Sequence, residues 1–184
     1  MGGASLYTRD LGRQDAPEGL NRLEAEFVTE HLTVEAEVTS PETRMSDYLN
    51  SSAQSVEVHP LRVRTTSGTV HDLSETMAHL TKSQLMFVIP ISEPQPTDAP
   101  DGSGWAWHLK YRCWAALGRY LIVGDVHAEN YRDPKLLLRA LEQRQFLAFS
   151  DAELTYPDGS TKPKPIVIVN HRHLEMLSVP KPRW

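Results

Sequence analysis

The reading of "RYLIVGDVHA" (Arg119–Ala128) decides the fold, because it can be laid on an earlier segment, "HLTVEAEVTS" (His31–Ser40). Leu32, Val34, Ala36 and Val38 then fall on Tyr120, Ile122, Gly124 and Val126 at an offset of 88 residues. Two further blocks follow in the same order. "SVEVHPLRVRTTSG" (Ser55–Gly68) lies on "FLAFSDAELTYPDG" (Phe146–Gly159) at an offset of 91, with Gly68 on Gly159. "LTKSQLMFV" (Leu80–Val88) lies on "VNHRHLEML" (Val169–Leu177) at an offset of 89. Three blocks in order, at nearly one offset and with turn glycines coinciding, point to an internal duplication, and a repeat changes what any single motif match is worth.

Each copy helps to read the other. "WAWHLKYRC" carries Trp105, Trp107, Leu109, Tyr111 and Cys113 at period two, the mark of a half-buried strand, and "ALGR" turns it back into "YLIVGDV" as a hairpin. "LEAEF" is readable as a strand or as a helix running back to Leu20, and the offset favours the strand. Asp133 as N-cap and Pro134 at the first helical position open "KLLLRALEQ", whose counterpart is the shorter "RMSDYLNSS". "YPDG" is a tight reversal with Pro at its second position and Gly at its fourth, and "PIVIVN" and "LEMLSV" read as strands. The expectation is a mainly β chain with short helices (β or α+β): two duplicated small barrels or curled antiparallel sheets, each with one helix inserted after its second strand. The division is a loose arm over 1–19, a first repeat over 20–92, a Pro-, Gly- and Asp-rich linker over 93–104 and a second repeat over 105–184. In this pattern each copy is similar to small bacterial domains of the Sm-like or SH3-like kind, a resemblance that implies a small barrel and carries no activity with it.

"VGDVHAEN" (Val123–Asn130) also resembles the catalytic loop of aminoglycoside-phosphotransferase-type kinases. That resemblance implies Asp125 as catalytic base, with Asn130 and Asp151 as metal ligands. Val123 stands where that loop has a histidine, and no glycine-rich loop with a strand lysine precedes it to hold nucleotide phosphates. The repeat accounts for the same residues as strand, helix and strand, with Glu37 in the place of Asp125. "RDLGR" (Arg9–Arg13) matches the arginine spacing of PilZ barrels, but "DLSETM" has Met77 where their second motif needs glycine. His171 and His173 form the one local histidine pair, too few ligands for a zinc site without help from afar, as from His127 or Asp125. Cys113, the single cysteine, reads as a core thiol and excludes an internal disulfide framework, which suits a reducing compartment and makes cytoplasm the expectation. Neither a signal-like apolar run nor a membrane-spanning stretch is present, and no catalytic, cofactor or metal residues are assigned.

Charge separates the copies. Leu20–Pro94 holds five Lys and Arg against eleven Asp and Glu, and Trp105–Trp184 holds twelve against eight. The first is therefore acidic and the second basic, an asymmetry that favours attraction between halves or between molecules. The function expected from these features is a non-enzymatic binding or assembly module with a protein partner or with itself. The alternative is an oligonucleotide-binding protein, with Lys162, Lys164, Arg172, Lys181 and Arg183 as its candidate polyanion contacts; a membrane partner is not expected.

Overall fold

The computed structural model describes residues 19–91, 109–128 and 133–180. Alternation builds the first hairpin: in β1 (Asn21–Thr29) Leu23, Ala25 and Phe27 turn inward while Glu24 and Glu26 turn outward, and β2 (Leu32–Ser40) buries Val34, Ala36 and Val38 opposite them. A short helix, α1 (Met45–Leu49), leads to the long β3 (Ser55–Thr65), followed by β4 (Val70–Asp72), β5 (Ala78–Thr81) and, after the 3-10 turn Lys82–Gln84, β6 (Leu85–Pro90). The rest of the chain repeats the order. β7 (Leu109–Leu117) and β8 (Tyr120–Ala128) form a hairpin, α2 (Pro134–Glu142) follows, then β9 (Phe146–Thr155), β10 (Thr161–Asn170), the 3-10 turn His171–His173 and β11 (Met176–Ser178). The protein is mainly β, with antiparallel pairing throughout and two short helices among the described residues.

Two local expectations for the second half hold, while Trp105 and Trp107 lie outside the described residues and "LEMLSV" is a strand only over Met176–Ser178. Asp133 caps α2, its carboxylate accepting a hydrogen bond from the Lys135 N–H at 2.9 Å, and Pro134 fills the first turn. "YPDG" closes through the Gly159 N–H on the Tyr156 carbonyl at 2.9 Å, and "TTSG" through the Gly68 N–H on the Thr65 carbonyl at the same distance. Both glycines sit at positive φ, 81° and 87°, where a Cβ would be strained.

The pairing registers of the two halves coincide. Val28↔Thr33 in β1–β2 becomes Ala116↔Leu121 in β7–β8, and Glu37↔His59 in β2–β3 becomes Asp125↔Ser150 in β8–β9. The irregularity between Glu35 and Ala36 recurs between Val123 and Asp125. Phe27↔Val88 in β1–β6 becomes Ala115↔Leu177 in β7–β11. β10 corresponds to β4 and β5 together, which the exposed segment 73–77 separates in the first half.

What joins the halves is a strand pair. β6 lies between β1 and β10, with Ile168↔Val88 and Val169↔Phe87 in register, so the eleven strands among the described residues belong to one sheet ordered β11-β7-β8-β9-β10-β6-β1-β2-β3-β4, with β5 on β3. β6 up to Ile89 and the last four residues of β10, Val167–Asn170, are buried on both faces, in keeping with the apolar runs "LMFVI" and "IVIV". Val88 and Ile168 point into one core with Leu23, Phe27, Val34, Met45 and Val56, while Phe87, Ile89, Val167 and Val169 point into the other with Cys113, Ile122, Leu137 and Phe149. Each core thus contains side chains from both halves. At about 1.5–3 kcal/mol for each large apolar side chain buried, packing outweighs the few ladder hydrogen bonds of the joint. Among the described residues no helix is long and apolar enough to cross a membrane.

Candidate functional site

Two regions bring functional groups together, and both arise at the joint. The first is the joint itself. Asn170, fully buried at the end of β10, donates from Nδ2 to the carbonyls of Lys82 at 3.0 Å and Leu85 at 2.7 Å, and its Oδ1 accepts from the Arg172 N–H. His173 donates from Nε2 to the Ser83 carbonyl at 2.7 Å. At the far side Asn50, which follows α1, exchanges two hydrogen bonds with the backbone of Phe146, both at 3.0 Å. Lys82 is buried with its ammonium on the carbonyls of Tyr48 and Ser51 and on the Ser51 hydroxyl, and burial pulls it below the usual lysine range. Asn170 and His173 fix the turn Lys82–Gln84, and hence β6, against the second half, Asn50 ties the end of α1 to β9, and Lys82 anchors the turn to the first half.

The second region is a crevice of about 170 Å3 beside the joint. Thr33 and Arg64 come from the first half, and Lys162, Lys164, Tyr120 and Tyr156 from the second, with Phe87 at the base and Glu26 on the wall. Tyr120 packs edge-on to Phe87 at 4.9 Å, Tyr156 edge-on to Tyr120 at 6.2 Å, and the Lys162 ammonium stands 5.4 Å over the Tyr156 ring. Burial raises both tyrosine hydroxyls above their usual range, so they stay neutral donors. Lys162 and Lys164 are thus brought to one place, together with Arg64, which sequence reasoning did not connect with them. Arg172 sits at the other end of β10, in the turn His171–His173, and Lys181 and Arg183 lie outside the described residues. Arg64 belongs to the acidic half, and only pairing through β6 reveals its neighbours.

The residues of the phosphotransferase resemblance have other partners. Asp125 pairs with Arg112 at 3.4 Å, Arg112 reaches Glu153 at 3.7 Å and donates to the Asp151 carbonyl at 2.9 Å, and Lys110 pairs with the Asp151 carboxylate at 3.3 Å. This network ties β7, β8 and β9 together across their outer face. Asp151 takes a positive φ of 48° where β9 bends. Asn130 lies outside the described residues, as does "RDLGR". Ser150 Oγ lies 3.2 Å from the Asp125 carbonyl and 2.8 Å from His127 Nε2, so Ser150 joins Asp125 and His127 by hydrogen bonds between β8 and β9. Cys113 is buried, and desolvation, with the Asp125 charge second, pushes its thiol up to about 12. Among the described residues no three His, Cys, Asp or Glu side chains are placed to hold a metal ion. No family model, curated protein or solved structure matches the chain.

Proposed function

We propose that the protein is a non-enzymatic assembly module, a tandem of two small Sm-like or SH3-like units of one duplicated design that acts by antiparallel strand addition at its sheet edges. One observation carries this reading: the two halves are themselves united by strand addition, β10 on β6, while the edges of β5 and β11 have no strand partner among the described residues. Such edges are either protected or used for pairing with another chain. The opposite charges of the two halves supply the long-range attraction that orients pairing, and the partner is a protein or a second copy. Light scattering of the full chain at two salt concentrations tests the reading. Association should weaken as the Debye length falls from about 10 Å at 0.1 M to about 3 Å at 1 M. A monomer that is insensitive to salt and concentration would contradict it.

A second reading has its own support. The crevice gathers Arg64, Lys162 and Lys164 beside Tyr120 and Tyr156, the cation and ring combination that takes the phosphates and bases of a single-stranded oligonucleotide. Glu26 in the same wall and the net charge of -5 work against it, so it ranks second. A gel-shift of RNA or single-stranded DNA by the full chain, abolished in Lys162→Ala/Lys164→Ala, would favour it, and no shift would remove it.

A further inference from the structure

The joint between β6 and β10 has a second, unfilled version in the same molecule. Moving its register by the 89 residues that relate the turn Lys82–Gln84 to His171–His173 places Ile168 on His79 and Val169 on Leu80, and Val88 on Leu177 and Phe87 on Met176. The pairs Ile168↔Val88 and Val169↔Phe87 thereby become His79↔Leu177 and Leu80↔Met176. These residues lie in β5, which sits on β3 next in sequence to the terminal strand β4, and in β11 at the other end of the sheet, and neither strand has a second strand partner among the described residues. We infer that β5 of one molecule and β11 of another form this pair, so that copies of the chain assemble head to tail through a repeat of the internal joint. The inference rests on the assembly reading above and gives it a partner and a register.

Four features agree with this occupant. First, exposure: Ile168, Val169, Phe87 and Val88 are all at 0%, whereas Met176 is 47% exposed, His79 is exposed, and Leu80 and Leu177 are half-buried. The same places in the scheme are thus dry where the strand partner is present and open where it is not. Second, polar groups: His173, which donates to the Ser83 carbonyl, corresponds to Gln84, an amide able to donate to the carbonyl of Arg172. Asn50, which follows α1 and pairs with the Phe146 backbone, corresponds to Gln143, which follows α2. Third, charge: the internal joint brings acidic half to basic half, and head-to-tail addition does the same between molecules. Fourth, topology: the two edges are different surfaces, so their pairing is heterologous and continues to a ring or a filament instead of stopping at a twofold dimer. Thr81 replaces Asn170 and cannot make the two amide donations, and His79 replaces the apolar Ile168. The joint between molecules is accordingly weaker than the internal one and reversible.

Complementary blocking tests this directly. His79→Lys and Met176→Lys each alter a side chain that is exposed in the single molecule and would place a charge in the proposed joint. By sedimentation velocity over a wide concentration range the native chain should grow beyond a dimer. Each variant alone should stay monomeric with an unchanged circular dichroism spectrum, and an equal mixture should form a heterodimer and nothing larger, since one intact β5 edge meets one intact β11 edge. Leu80→Cys and Met176→Cys chains, mixed and mildly oxidised, should cross-link, while Leu80→Cys with Ser178→Cys should not, because two residues of register separate the latter pair by roughly 7 Å. Native association that both lysine variants leave intact would overturn the head-to-tail register and leave the assembly reading standing. A native chain that is monomeric throughout would overturn both.

Discussion

The two halves use one pairing scheme and differ most in their fourth strand. In the second half β10 runs unbroken from Thr161 to Asn170, its first part on β9 beside the crevice and its last part carried into the joint with β6. In the first half the same course is broken into β4 and β5 by "LSETM" (Leu73–Met77), every residue of which is exposed, Met77 by 60%. The strand that follows differs to match. "LMFVIP" in β6 is apolar throughout and has strand partners on both sides, whereas "MLS" in β11 alternates exposed and half-buried residues and, among the described residues, pairs only with β7. The comparison teaches that the unit is the same on both sides, and that one continuous strand and one continuous apolar run decide which of its two edges is used inside the chain.

Substitutions at matched positions sharpen that comparison. Phe87→Ala should cost about 3–5 kcal/mol because it empties a fully buried site at the joint, and Met176→Ala, its counterpart on an open edge, should cost under about 1 kcal/mol. Chemical denaturation of both variants measures the gap, and equal costs would deny that the joint is a core. Asn170→Ala removes both amide donations from a fully buried position, the Lys82 carbonyl keeping the Leu85 N–H, and should cost about 1–3 kcal/mol, against a few tenths for Thr81→Ala in the same assay. At the shared strand irregularity, a Cβ on Gly124 would stand 3.0 Å from Phe149 Cβ and from the Ser150 carbonyl, so Gly124→Ala should destabilise by about 1–3 kcal/mol. The first half already holds Ala36 there without exposure, so the reverse change, Ala36→Gly, removes a buried methyl and adds backbone freedom and should cost about 1–2 kcal/mol.

The sequence carried the elements and their order further than it carried the assembly of the two halves. Alternation in "YLIVGDV", the cap at Asp133 with Pro134, and the turn glycines Gly68 and Gly159 are local signals with the conformation that their spacing predicts, while "LEAEF" is the strand that the offset between the copies favoured over a helix. The joint is not local. An apolar run such as "LMFVIP" announces a strand buried on both faces but cannot say which second neighbour buries it, and here the neighbour is about 80 residues away along the chain. For the same reason Lys162 and Lys164 could be proposed as anion contacts while Arg64, in the acidic half, could not. The contrast between the unbroken run of β6 and the alternating "LEMLSV" was the one available sign that corresponding strands meet different surroundings.

The last expected effect is confined to alkaline pH and concerns Cys113. Its thiol is raised from the ordinary value of 9.0 to about 12, so between those limits the unfolded chain releases a proton that the folded chain keeps. Its contribution to stability is fully present below about pH 9 and falls as pH rises towards 12. Cys113→Ala should therefore flatten part of the alkaline loss in thermal melts, the raised Tyr48, Tyr120 and Tyr156 supplying the remainder with the same sign.

The most direct test of the central claim, that the open edges are the unfilled versions of the internal joint, is amide hydrogen exchange of the full chain at low and high protein concentration. Amides of Phe87–Val88 and Ile168–Val169 should be protected equally at both, since their partner strand is in the same molecule. Those of Ala78–Thr81 and Met176–Ser178 should gain protection together as concentration rises, and lose that gain in His79→Lys and Met176→Lys. Exchange at β5 and β11 that is independent of concentration would contradict the account.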